Sequence, residues 1–97
     1  MKNPPLVTLL TDFGTRDGYV AAMKGVILSQ CPGACLVDAG HEVPRHDIRS
    51  AAWALRQYGW TYPAGTLHVA VVDPGVGTER AALVIEAQDC LWLGPDN

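Results

Sequence analysis

At 97 residues the chain has the size of a single domain, and its charged fraction of 18% is typical of a globular protein, not a disordered one. A net charge of −3 with seven scattered basic residues argues against nucleic acid as a partner, since that binding depends on clustered Lys and Arg. We expect neither a signal peptide nor a membrane span, because no apolar run approaches the ~20 residues of a membrane helix. Three cysteines without CxxC spacing indicate reduced thiols in a cytoplasmic protein.

The chain opens with a predicted strand and helix. The apolar run Leu6–Leu10, after two prolines, predicts a strand buried on both faces, and a polar loop follows over residues 11–18. Helical spacing then predicts a helix over Tyr19–Gln30, with Asp17 placed to cap its N-terminus. The apolar positions of this helix are Val20, Met23, Ile27 and Leu28.

A second strand and helix follow in the same order. Residues Ala34–Asp38 form a short apolar run, and a long polar loop occupies residues 39–46. Asp47 can cap a helix over Ile48–Tyr58, which Gly59 ends.

The remaining apolar segments predict three more strands, at Thr66–Val72, Ala81–Ala87 and Cys90–Gly94. The two residues Gln88-Asp89 have the length of a tight hairpin turn between the last two strands. Alternating strands and helices with continuous apolar strands predict an α/β three-layer sandwich around a mostly parallel sheet.

Polar clusters follow three of the predicted strands, at Thr11–Gly18, Gly40–Asp47 and Asp73–Arg80. Ligands bind beyond the carboxyl ends of parallel strands, so the topology predicts a ligand crevice where these clusters meet. The candidate side chains on this edge are Asp12, Asp17, His41, His46, Asp73 and Arg80.

Several of these residues have both a structural and a functional interpretation. Asp12 either grips neighbouring hydroxyls, such as a ribose diol, or caps the amides of its own loop. Asp17 either caps the helix or also contacts a ligand. Asp73 and Arg80 either form a structural ion pair, or Arg80 keeps Asp73 ionised as an anchor for water or a polar ligand.

A metal site is a weaker interpretation of the same residues. His41 and His46 with the two aspartates at strand ends contain suitable ligand atoms, but no HxH or helical HxxxH spacing supports them. We therefore predict no bound metal. Two functions are nevertheless compatible with these residues. One is a metal-dependent phosphoesterase using Asp12, Asp17 and His41, and the other is a non-catalytic nucleoside-binding fragment.

Four sequence blocks in the same order resemble one enzyme family. The blocks are TLLTDFGTRDGYVAAMKGVI, VDAGHEVPRHDI, GTLHVAVVDPGVGTER and GPDN. They are similar to the N-terminal part of the S-adenosylmethionine (SAM) hydroxide adenosyltransferases, relatives of fluorinase and chlorinase. The resemblance implies hydrolysis of SAM to adenosine and methionine, by attack of water or hydroxide on the ribose 5′ carbon, with SAM as substrate and no cofactor.

The resemblance also implies roles for particular residues. Asp73 and Arg80 match two members of an Asp–Arg–His set that holds the attacking water, and the family's histidine comes from beyond residue 97. Asp12 matches the acid that binds the ribose diol, and Asp17 an acid near the methionine amino group. His46 occupies the position of an aromatic residue beside the ribose. The implied substrate-binding residues are Asp12, Phe13, Asp17 and His46.

The resemblance implies an architecture larger than this chain. Residues 1–97 correspond to the N-terminal portion of the family's Rossmann-like SAM-binding domain, and a C-terminal β-barrel domain is absent. Family members form homotrimers with active sites between subunits. We therefore expect these residues to be inactive alone and to self-associate at an open sheet edge.

Overall fold

The computed structural model describes residues 5–72 and 82–95. Its elements are β1 (Leu6–Thr11), α1 (Tyr19–Gln30), β2 (Cys35–Gly40), α2 (Ile48–Tyr58), a short 3-10 turn (Gly59–Thr61), β3 (Leu67–Val71), β4 (Ala82–Ala87) and β5 (Cys90–Pro95).

The strands form one sheet in the order β2-β1-β3-β5-β4. Among the strands of residues 5–72 and 82–95, the first four in this order are parallel neighbours and the β4–β5 pair is antiparallel. The chain moves from β1 outward to β2 and then returns to the other side of β1 to form β3. The strand order therefore reverses between β1 and β3, and such switch points are where α/β sheets bind ligands.

The two helices cover opposite faces of the sheet. On one face Val7 and Leu9 pack against Met23 of α1, and on the other Leu10 packs with Ala51 of α2. Successive residues of β1 point to alternate faces, so this central strand is buried on both sides, as predicted. The predicted three-layer α/β sandwich with a mostly parallel sheet is confirmed.

The two helices begin differently. Asp47 caps α2, its carboxylate accepting from the Ser50 amide at 3.0 Å, as predicted. The predicted cap of α1 by Asp17 is wrong, because the N-cap position is Gly18 and no described side chain caps it. Leu28, predicted on the apolar face of α1, is 40% exposed.

The predicted β4–β5 hairpin is confirmed. Its turn consists of Gln88 and Asp89, with φ of 55° and 62°. Positive φ at both central residues matches the right-handed twist of the flanking strands. Leu83, Val84 and Ile85 of β4 are all exposed, so this edge strand presents apolar side chains on both faces. Neither described helix has the length and apolar character needed to cross a bilayer.

A buried histidine anchors the face of the sheet that α2 covers. His68 is 1% exposed, its Nδ1 lies 2.7 Å from Thr8 Oγ1, and its ring is 4.4 Å from that of Trp92. A side chain at Gly59 would collide with Trp92, so the glycine lets α2 end against this stack.

We expect the stability of the intact protein to fall as pH drops below about 6.5, the ordinary pKa of histidine. Burial lowers the pKa of His68, because charging the ring requires its desolvation. The unfolded chain then binds a proton that the folded chain does not, so stability is lost as pH falls toward the folded-state pKa. Urea unfolding at pH 7.5 and pH 5 measures the effect, and His68→Gln should reduce it. An equal pH dependence in the variant would contradict this assignment.

Candidate functional site

Two loops meet where β1 and β2 end. We call residues 12–18 the β1 loop and residues 41–47 the β2 loop. The Gly14 amide, at a φ of 72°, donates to the His41 carbonyl at 2.7 Å, and the Val43 amide donates to the Thr11 carbonyl at 3.4 Å. The first two predicted polar clusters therefore do converge at one edge of the sheet.

The two loops enclose an open groove of about 480 Å³. Its walls carry charged and aromatic side chains, and its volume is in the range of small-molecule sites. Among the residues that line it are Asp12, Phe13, Asp17, His41, Glu42 and Arg45.

Asp12 links the groove to the strand-order switch point. Its backbone amide donates to the Val71 carbonyl of β3 at 3.4 Å, and its Oδ2 accepts from the His46 amide at 2.8 Å. The structural alternative expected of Asp12 was a cap on the amides of Gly14 or Thr15, and the partner is instead the β2 loop. The second carboxylate oxygen makes no hydrogen bond to any described residue.

Phe13 supplies an apolar wall beside this carboxylate. The residue is half-buried, and its ring centroid lies 6.3 Å from that of Tyr19 at the start of α1. Its backbone amide donates to Thr11 Oγ1 at 3.1 Å. The aromatic ring and the neighbouring acid suit a ligand with a flat apolar part and polar hydroxyls.

Of the two remaining candidates for substrate binding, Asp17 lines the groove and His46 does not. Asp17 is exposed. His46 is exposed and meets Asp12 through its backbone, in the left-handed region at a φ of 63°. Non-glycine residues rarely adopt this conformation, and it marks a loop that the surrounding bonds hold in place.

The sequence reasoning missed a hydrogen-bonded chain beneath the groove. His41 is 5% exposed, with Nδ1 2.8 Å from Thr11 Oγ1 and Nε2 2.7 Å from Asp38 Oδ1. Lys24 of α1 donates to the other oxygen of Asp38 at 2.8 Å. Bonds from His41 and then Lys24 lower the pKa of Asp38, so the carboxylate is ionised at neutral pH. Thr11 and His41 both lie at the ends of neighbouring parallel strands, which was the available signal.

These bonds bear on the metal-dependent alternative. Both ring nitrogens of His41 are engaged, so the phosphoesterase hypothesis loses its histidine ligand. Within residues 5–72 and 82–95, no three His, Cys, Asp or Glu side chains are grouped to hold a metal ion.

The predicted catalytic pair lies outside the described residues. Asp73 and Arg80 both fall between Val72 and β4, so their roles stay predictions. Val72, the last described residue before them, is buried and directly follows β3.

A family model described as the SAM hydroxide adenosyltransferase N-terminal domain matches residues 7–97. An (R)-S-adenosyl-L-methionine hydrolase from Salinispora arenicola is 45% identical over 97 residues, which cover 100% of this chain and 37% of that relative. A fluorinase from an Actinoplanes species is 31% identical over 90 residues, which cover 93% of this chain and 30% of the fluorinase.

A solved structure of similar sequence has the same fold as this chain. The crystal structure of a conserved hypothetical protein from Thermus thermophilus superposes with a TM-score of 0.84 at 45% identity, over 97% of this chain and 39% of that one. This chain thus spans about a third of the length of the relatives it matches, from 30% to 39%. The family match over nearly all of its residues places the chain in the SAM hydroxide adenosyltransferase family, as part of the N-terminal domain.

Proposed function

We propose that the intact protein hydrolyses SAM to adenosine and L-methionine. The observation that carries the proposal is the 45% identity, over all of this chain, to a relative named (R)-S-adenosyl-L-methionine hydrolase. The fluorinase relative is more distant, at 31%. The family resemblance places a tyrosine in fluorinase where this chain has Asp73, which further favours water over halide as the nucleophile.

The groove between the β1 loop and the β2 loop would bind the nucleoside part of the substrate. Asp12 would accept hydrogen bonds from the ribose 2′- and 3′-hydroxyls, while its bond from the His46 amide fixes the carboxylate. Phe13 would pack against the sugar, His46 would lie beside it, and Asp17 would meet the methionine amino group. The groove's size and its mixture of carboxylates and aromatic surface support the roles of Asp12, Phe13 and Asp17, which line it.

Asp73 and Arg80 would hold the attacking water. Asp73 directly follows Val72 in the sequence, and the end of β3 is hydrogen-bonded to Asp12. A water held there would form a C5′–O bond as the C5′–S bond breaks, and a proton would leave. The sulfonium is already a good leaving group, so the protein's task is to position and desolvate the water, without a cofactor.

Incubation of the intact protein with SAM in H₂¹⁸O tests this proposal. We expect adenosine and methionine in equal amounts, with one ¹⁸O atom in the 5′-hydroxyl of adenosine. Added chloride or fluoride should leave the product unchanged. A 5′-halogenated nucleoside, or adenosine without the label, would contradict water as the nucleophile.

Calorimetry separates the enzyme from a binding module. Adenosine and SAM should both bind, and SAM should be consumed. Binding of both ligands without any product over hours would instead favour the nucleoside-binding alternative. Turnover that a chelator abolishes would favour a metal-dependent enzyme.

We also propose that the intact protein is a homotrimer whose subunits share the site, as the family resemblance implies. Trp53 and Trp60 of this chain are 62% and 71% exposed, and large exposed aromatic residues are typical of association surfaces. Sedimentation equilibrium should give three times the chain mass. A monomer at micromolar concentration would contradict the proposal.

A further inference from the structure

The hydrogen-bonded chain around His41 has a defined direction. Asp38 is an ionised carboxylate and can only accept, so His41 Nε2 carries a hydrogen toward it. In the tautomer whose hydrogen is on Nε2, Nδ1 is an acceptor, and the Thr11 hydroxyl donates to it. The Thr11 oxygen still accepts from the Phe13 amide at 3.1 Å. Each member of the chain both fixes its neighbour and is fixed by it.

The hydrogen bonds of His41 also reach the backbone of the β1 loop. Besides its ring, His41 uses its carbonyl to accept from the Gly14 amide at 2.7 Å. One buried residue thereby holds the β1 loop on both sides of Phe13, directly after Asp12. At the other end, Lys24 ties Asp38 to α1.

We propose that Thr11, His41 and Asp38 are positioning residues, which set the place of the Asp12 carboxylate and the Phe13 ring in the groove. None of the three needs to touch the substrate, since they act through the backbone of the β1 loop. A small displacement of a positioning contact can cost orders of magnitude in ligand recognition and rate. The identity of the ligand rests on the proposed function, whereas the ordering of the loop does not.

The same strand offers a matched control. Thr8, like Thr11, has 0% exposure and a hydroxyl bonded to a buried histidine, His68, at 2.7 Å. The Thr8 pair lies within the sheet, on the face that α2 covers, and not beside the groove. Replacing either threonine with valine removes one buried hydroxyl of the same kind, so losses of general stability should be similar.

The test compares Thr11→Val, Thr8→Val and Thr11→Ser in the intact protein. We expect Thr11→Val to weaken adenosine binding by about tenfold, while Thr11→Ser, which keeps the hydroxyl, restores it. Thr8→Val should stay within about twofold of the unmodified protein despite a comparable drop in melting temperature. Equal weakening by both valine variants, or none by Thr11→Val, would overturn the proposal.

Hydrogen exchange provides a readout that needs no ligand. The Phe13 and Gly14 amides should exchange faster in Thr11→Val than in Thr8→Val. If Thr11→Val does not fold, Asp38→Ala should produce the same local change, since Asp38 is the partly exposed end of the hydrogen-bonded series. Unchanged exchange at both amides in the folded variant would overturn the positioning role. An intact protein that neither binds adenosine nor consumes SAM would instead overturn only the proposed function.

Discussion

Replacing Asp73 with asparagine in the intact protein is expected to lower kcat for adenosine release by about a hundredfold, with little change in KM. Asparagine keeps the size of the side chain but removes the negative charge and one acceptor oxygen. Under the proposed mechanism the carboxylate orients the attacking water, an interaction that stabilises the transition state and not the bound substrate. Its loss should therefore affect turnover more than binding. Steady-state kinetics with SAM, followed by adenosine formation, measures both constants.

Asp89→Asn is the matched control for this change. Asp89 is an exposed acid in the β4–β5 turn with a φ of 62°, a conformation that asparagine adopts readily. This variant removes the same charge and should leave kcat unaltered. A kcat for Asp73→Asn within twofold of the unmodified protein would remove Asp73 from the mechanism.

Replacing Asp12 with alanine should raise the Kd for adenosine by about a hundredfold or more. Hydrogen bonds to a charged partner contribute about 1.5–3 kcal/mol, and a diol makes two of them. The change also removes the acceptor for the His46 amide, so the β2 loop loses one of its bonds to the β1 loop. Titration calorimetry with adenosine measures the loss.

A ligand without the diol separates these two effects. The unmodified protein should bind 2′,3′-dideoxyadenosine much more weakly than adenosine, whereas Asp12→Ala should bind the two alike. Glu42→Gln alters another carboxylate of the same groove, and we expect it to keep the preference for the diol. Persistence of that preference in Asp12→Ala would show that another residue recognises the hydroxyls.

The backbone of this protein was largely predictable from local patterns. Periodicity and stop signals predicted both helices, Tyr19–Gln30 and Ile48–Tyr58, at their observed bounds. Asp47 was recognisable as a cap because it directly precedes its helix. Asp17 stands one residue too early, with Gly18 between it and the helix, and one position decides whether a side chain can reach the first free amides.

The location of the candidate site was predictable, but the hydrogen bonds within it were not. The ends of parallel strands share an edge, so the meeting of Asp12 and the β2 loop followed from topology alone. The contact of Asp12 with the His46 amide did not, since it depends on a left-handed residue in a long loop. The bonds joining Thr11, His41 and Asp38 could not be predicted either. A buried histidine has the same sequence pattern whether it packs in the core or binds a ligand.

The central position of β1 also determines when the site can form during folding. Asp12 is fixed only after β1 has paired with both neighbours, and the Thr8–His68 contact across one of these pairs joins residues separated by 60 positions. Closing such distant contacts costs conformational entropy before packing compensates for it. The pairing of β1 with β3 is therefore expected among the slower steps of folding. During synthesis the bond from the Asp12 amide to the Val71 carbonyl can form only after β3 has left the ribosome. Substitutions that slow the β1–β3 pairing should therefore reduce the yield of competent protein more than its final stability.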